Sequence, residues 1–96
     1  MLELRQNCEN CNKTLPPNST EAMICTYECT FCKDCVDNVL QNVCPNCSGG
    51  FEKRPIRPKI ELESNPPTDI VVYKPVIMEK FQILLEKYVN ILPNER

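Results

Sequence analysis

Large apolar side chains are sparse and scattered through the first half of the chain and crowd into a helical stripe near its end. In residues 1–51 they are Leu2, Leu4, Leu15, Met23, Ile24, Tyr27, Phe31, Val36, Val39, Leu40, Val43 and Phe51. Leu2 and Leu4 alternate with Glu3 and Arg5, which predicts a short strand. Met23, Ile24 and Tyr27 flank a cysteine and predict a short hairpin. Residues 33–42 predict a helix of two to three turns, because Val36, Val39 and Leu40 fall on one face at i, i+3, i+4 spacing. Leu15-Pro16-Pro17-Asn18-Ser19 and Ser48-Gly49-Gly50 are loop chemistry.

Beyond residue 51 the pattern changes. Arg54-Pro55-Ile56-Arg57-Pro58-Lys59 has spaced prolines that oppose helix and favour extended chain. Residues 60–63 and 70–73 are strand candidates, with Pro66-Pro67-Thr68-Asp69 as a turn between them. Pro75 suits the first position of a helix and Pro93 its end. At ~100° per residue, Glu79, Lys80, Gln82, Glu86, Lys87 and Asn90 share one arc. Ile77, Met78, Phe81, Leu84, Leu85, Tyr88, Val89, Ile91 and Leu92 share the other, and Ile83 is the exception. This is an amphipathic helix with a broad apolar face. It either packs back on the rest of the chain or binds a partner or second copy, and Phe81, Leu84 and Tyr88 are candidate contact residues. Three segments follow: a module at 1–51, a Pro-rich basic linker at 52–69, and a short strand with the helix at 70–96.

The module is too poor in apolar surface to offset its chain entropy unaided, so a cross-link is expected. Eight cysteines supply it, all within the first half of a chain of 96 residues that has no His. They form four pairs: Cys8-x2-Cys11, Cys25-x3-Cys29, Cys32-x2-Cys35 and Cys44-x2-Cys47. Thiolates two residues apart bite one ion from a tight turn, and two such pairs complete a tetrahedron. Four pairs predict two four-cysteine zinc sites. Disulfides and an iron–sulfur cluster are the alternatives. Cys29-x2-Cys32-x2-Cys35 resembles the start of a bacterial ferredoxin motif, but its next Cys-Pro comes too late. The opening residues have no apolar run for a signal peptide and no stretch is long enough to cross a membrane. A reducing cytoplasm is therefore expected, where paired cysteines bind metal.

Charge narrows the partners. The formal net charge is −2, and eight thiolates with two Zn²⁺ take the holo chain near −6. Residues 1–50 carry Arg5, Lys13 and Lys33 against Glu3, Glu9, Glu21, Glu28, Asp34 and Asp37, so they lack the basic footprint of a nucleic-acid binder. Only Lys53, Arg54, Arg57 and Lys59 make a basic run. It reads as a solvated linker or as a contact strip for phosphate or an acidic partner.

Spacing alone leaves the pairing of the pairs open. Sequential sites and a cross-brace both fit the gaps of thirteen, two and eight residues. The string Cys25-x3-Cys29-x-Phe31-Cys32-x2-Cys35, followed by Cys44-Pro45-x-Cys47, resembles the RING finger pattern. That resemblance implies a small zinc-stabilised α+β cross-brace. Cys8, Cys11, Cys32 and Cys35 would hold one ion, and Cys25, Cys29, Cys44 and Cys47 the other. It departs from ubiquitin ligases where they dock a conjugating enzyme: Asn10 stands in place of an aliphatic residue, and there is no Trp. Residues 1–58 are also similar to a domain-of-unknown-function family of short bacterial proteins, through Leu2-Glu3-Leu4-Arg5, Leu15-Pro16-Pro17, Glu28-Cys29-Thr30-Phe31-Cys32 and the Arg-Pro segment. That likeness implies a bacterial source. The function expected is a non-enzymatic, zinc-stabilised protein-interaction module. Alternatives are nucleic-acid binding through residues 53–59, a ligase-like activity, and redox or metal sensing by thiolates that release zinc on oxidation.

Overall fold

The computed structural model describes residues 1–96. Its centre is a sheet of three short strands in the order β2-β1-β3. β1 (Ala22–Ile24) and β2 (Thr30–Cys32) form the expected hairpin, antiparallel, with Met23 opposite Phe31. The connection is the second cysteine pair. It closes because Glu28 adopts φ 61° and donates its N–H to Cys25 O at 3.0 Å. β3 (Glu52–Lys53) pairs with the other side of β1, so part of the predicted linker belongs to the sheet.

β2 runs directly into α1 (Lys33–Cys35), which continues as a wider π turn over Val36–Leu40. Val36 and Leu40 are buried, and Val39 packs beside them. The run ends where Gln41 and Asn42 take left-handed φ of 47° and 61°. Phe31 meets Phe51 edge to face, with ring centroids 5.4 Å apart. Phe31 is fully buried. Phe31→Leu should therefore lower unfolding stability by about 1–2 kcal/mol, from lost area and the lost aromatic pair. Urea titration of wild type and variant side by side measures it.

Four expectations give way. Residues 2–5 are not a strand. Leu4 turns at φ 58° to bury its side chain, and the carbonyls of this segment go elsewhere. Arg57 takes Leu2 O at 2.6 Å, Arg54 takes Arg5 O at 2.6 Å, and the Thr68 N–H takes Glu3 O at 2.8 Å. Residues 60–63 are not a strand either. Pro58, at φ −55°, starts a single turn of helix, α2 (Lys59–Leu62), and its carbonyl accepts from Glu61 and Leu62. Residues 70–73 find no sheet edge. They thread past the first cysteine pair, where Asn7 Nδ2 donates to Val72 O at 2.9 Å.

The last difference is the start of the terminal helix, α3 (Met78–Tyr88), three residues after Pro75. The Val76 N–H is already engaged by Asn10 Oδ1 at 2.9 Å, and Ile77 is extended. Pro93 does not terminate α3, which ends at Tyr88. Pro93 opens a 3-10 turn, Pro93–Glu95. A Cβ on Gly50 would come within 2.7 Å of Pro93 Cγ, so glycine permits this close approach of tail and module.

α3 lies against the module. Phe81 and Leu85 are buried in one core with Leu15, Ala22, Phe31, Val36, Leu40, Val43 and Phe51, and Leu84, Tyr88 and Val89 pack on its edge. The apolar face in contact is narrower than the sequence stripe: Ile77, Met78, Ile83 and Leu92 remain exposed. No helix is long and apolar enough to cross a membrane.

Candidate metal centre

Two of the cysteine pairs sit on nearly identical turns. In Cys8-Glu9-Asn10-Cys11 the chain reverses at Asn12, φ 65°. The Asn12 N–H donates to Cys8 O at 2.9 Å, and the Cys8 N–H to Lys13 O at 2.8 Å. In Cys44-Pro45-Asn46-Cys47 the reversal is at Ser48, φ 68°. The Ser48 N–H donates to Cys44 O and the Cys44 N–H to Gly49 O, both at 2.8 Å. Each turn points two sulfurs the same way. The other pairs lie on regular structure: Cys25 and Cys29 bound the hairpin loop, and Cys32 and Cys35 bracket the first turn of α1.

The sheet and α1 then bring distant pairs together. The sulfurs of Cys8, Cys11, Cys32 and Cys35 all lie within 4.8 Å of one another. A tetrahedron with ~2.3 Å Zn–S bonds has S···S edges of about 3.8 Å. The Cys11 and Cys32 sulfurs, 3.7 Å apart, match that edge. A second group holds Cys25, Cys44 and Cys47 within the same limit. Cys29 falls outside this tight triplet, and its sulfur accepts from Asn46 Nδ2 at 3.3 Å. All eight cysteines are free thiols. The donor set therefore suits a soft or borderline cation such as zinc.

Burial and hydrogen bonding push the thiols of each cluster in opposite directions. Hydrogen bonding from Cys44 draws Cys29 down to about 5, while Cys44 itself is pushed well up by that same bond and by burial. Burial lifts Cys25 to about 11. In the four-cysteine group, burial pushes the Cys8 thiol up, but N–H groups of Cys11, Cys32 and Asn10 outweigh it and the net shift is downward. Burial raises Cys32 and Cys35. A cation entering either group would displace the remaining protons.

Polar neighbours that the sequence reading passed over surround the sulfurs. Asn10 Nδ2 donates to Cys35 Sγ and Asn46 Nδ2 to Cys29 Sγ, each at 3.3 Å. Asn46 Nδ2 also reaches Glu9 Oε2 at 2.9 Å. Glu9 is buried, and its carboxyl is raised by burial against the lowering bond from Asn46. A signal for these residues was present: Cys-x-Asn-Cys occurs twice, at 8–11 and 44–47.

The family model for a protein of unknown function, DUF1272, matches residues 1–57. The chain belongs to the DUF1272 family. It is also similar to an uncharacterised protein of Rhizobium meliloti (strain 1021), 51% identical over 75 residues, which is 78% of this chain and 89% of that protein. No solved structure matches it. The DUF1272 match contains all eight cysteines and both asparagines, and it stops at Arg57.

The other candidate residues are dispersed. Of the basic run, Arg54 is buried and bonds three carbonyls, those of Arg5, Leu15 and Pro16. Arg57 spans Leu2 O and Asn65 O. Only Lys53 and Lys59 are exposed without such partners. The run is thus part of the fold and not a solvated linker. On α3, Phe81 is buried and Leu84 and Tyr88 are half-buried against the core. Beside them is a cleft of about 280 Å³ between Pro45 and the start of α3, with Lys74 and Lys80 at its margin.

Proposed function

We propose that this DUF1272 protein is a non-catalytic protein-interaction module whose shape is set by two structural zinc ions in a cross-brace. Cys8, Cys11, Cys32 and Cys35 hold one ion; Cys25, Cys29, Cys44 and Cys47 hold the other. The observation that carries this reading is the grouping, within 4.8 Å of one another, of the sulfurs of Cys8, Cys11, Cys32 and Cys35, and of Cys25, Cys44 and Cys47. Eight thiolates for two ions leave no coordination position open to water, as catalytic zinc requires. No His is present to act as a base. Zinc would stay bound by thiolates kept reduced in a cytoplasm. The reading assigns partner contact, with another protein or a second copy, to exposed apolar side chains such as Ile70, Val71, Tyr73, Ile77 and Ile83. Nucleic-acid binding is less well supported, because the basic run spends two of its four charges on backbone carbonyls.

Native mass spectrometry of protein purified without chelator should find two zinc ions per chain. No metal, or iron with bridging sulfide, would reject the proposal. The wiring has its own test. The double variant Cys11→Ser, Cys35→Ser removes two ligands from one cross-braced site and should retain one zinc. Sequential wiring puts those cysteines in different sites, so both sites would be damaged.

A further inference from the structure

The two cysteine turns share more than their backbone. Each carries an asparagine directly before its second cysteine, and each of these amides faces two ways. Asn10 donates Nδ2–H to Cys35 Sγ at 3.3 Å, and its Oδ1 accepts the Val76 N–H at 2.9 Å. Asn46 donates Nδ2–H to Cys29 Sγ at 3.3 Å, and its Oδ1 accepts from Lys74 Nζ at 3.2 Å. The orientations are forced. A backbone N–H and an ammonium only donate, so each must meet the amide oxygen, which turns the amide nitrogen to sulfur. In both cases the sulfur belongs to another pair, and the second partner lies in the segment leading into α3.

We propose that Asn10 and Asn46 are a matched pair of positioning residues that tie the state of each thiolate cluster to docking of the tail, so that metal loss frees the apolar face of α3. The amide is one rigid plane. Anchoring its nitrogen on a thiolate fixes where its oxygen points. A bound ion would fix each cysteine sulfur at one corner of its site, and outer-sphere partners of such ligands are held with them. When the ion leaves, the sulfur is no longer held in place, the amide loses that anchor, and the acceptor for Val76 or Lys74 swings free. Val76 lies one residue before the extended Ile77 that caps α3. Loosening it therefore loosens the seating of Phe81 and Leu85. The Lys74 N–H, held by Glu9 O at 2.8 Å, ties the same segment to the first turn. Coupling of this kind is reciprocal: a docked tail must also slow metal loss.

This inference rests on the zinc reading above, and the experiment separates the two. Full-length wild type, Asn10→Ala, Asn46→Ala and Lys74→Met would be loaded with zinc and counted by native mass. Amide hydrogen exchange across α3 and the rate of zinc transfer to a chromogenic chelator would then be measured. Outer-sphere partners of metal ligands are worth about 10–100-fold in affinity. Both asparagine variants should thus hold two zinc ions, give up the ion of the cluster they touch at least tenfold faster, and exchange α3 amides at least tenfold faster. Lys74→Met leaves both turns intact and should speed transfer of one of the two ions while loosening α3. Wild-type rates in variants that hold two zinc ions would overturn the proposal. So would faster zinc transfer with unchanged α3 exchange, which would confine the asparagines to supporting the ligands. If an asparagine variant does not fold, Lys74→Met decides alone, and wild-type behaviour there overturns the coupling. A wild type with no zinc defeats the zinc reading itself.

Discussion

Removing the proposed zinc ions with a strong chelator is expected to abolish the cooperative melt of the whole chain, α3 included. The buried core consists of nine hydrocarbon side chains, one of them Ala22, and six cysteines. Without an ion the cysteines contribute little burial energy and no longer cross-link the loops. Apparent binding energies for structural zinc run to about 10–16 kcal/mol, against a net stability of roughly 5–15 kcal/mol for ordinary domains. The hydrocarbon part of this core does not replace that. α3 is drawn in because Phe81 and Leu85 have no other burial site. Far-ultraviolet circular dichroism should lose its helical signal and its melting transition, and added zinc should restore both. A melt that survives verified loss of metal would show that the fold stands on its hydrocarbon core.

Arg54→Ala is expected to cost about 3 kcal/mol or more, enough to unfold a large share of a marginal domain. Arg54 is only 2% exposed and has no carboxylate beside it. Its guanidinium reaches Arg5 O at 2.6 Å, Pro16 O at 3.1 Å and Leu15 O at 3.3 Å. Burial lowers its pKa, yet guanidinium stays charged inside proteins. Truncation would strand three acceptors, each costing about 1–3 kcal/mol where water cannot enter. It would also release the N-terminal turn at Leu4 from the loop at Pro16. Arg54→Lys should recover only part of the loss, because an ammonium lacks the planar fork that spans three carbonyls. Lys53→Ala and Lys59→Ala are the controls. Both side chains are exposed, and both changes should stay within about 0.5 kcal/mol. Denaturant unfolding of the zinc-loaded proteins measures all four. Wild-type stability in Arg54→Ala would mean that water replaces the guanidinium without penalty.

The helix and hairpin of the module were legible because their causes are local. Val36, Val39 and Leu40 write a helical face within five residues, and Met23-Ile24 and Thr30-Phe31 write a strand pair around a five-residue loop. The tail was misread where local preference was weak. Leu2 and Leu4 alternate like a strand, but alternation has no effect without a neighbouring edge, and the carbonyls there are served by guanidinium groups and the Thr68 N–H. Pro75 is a good helix opener, yet the N–H after it was claimed by Asn10, a residue 66 positions away in sequence.

By itself the sequence determined that paired-cysteine turns form, because a Cys-x2-Cys spacing and the left-handed residue behind it are decided within six residues. It also determined that the terminal helix is amphipathic. Only the tertiary structure decided which pairs meet. The sheet carries Cys32 and Cys35 to Cys8 and Cys11, and it brings Cys44 and Cys47 beside Cys25. Only the tertiary structure turned Arg54 inward and set two asparagines between the sulfurs and the tail. These are long-range choices: each depends on which buried acceptor would otherwise go unsatisfied, and that is known only once the chain has closed on itself.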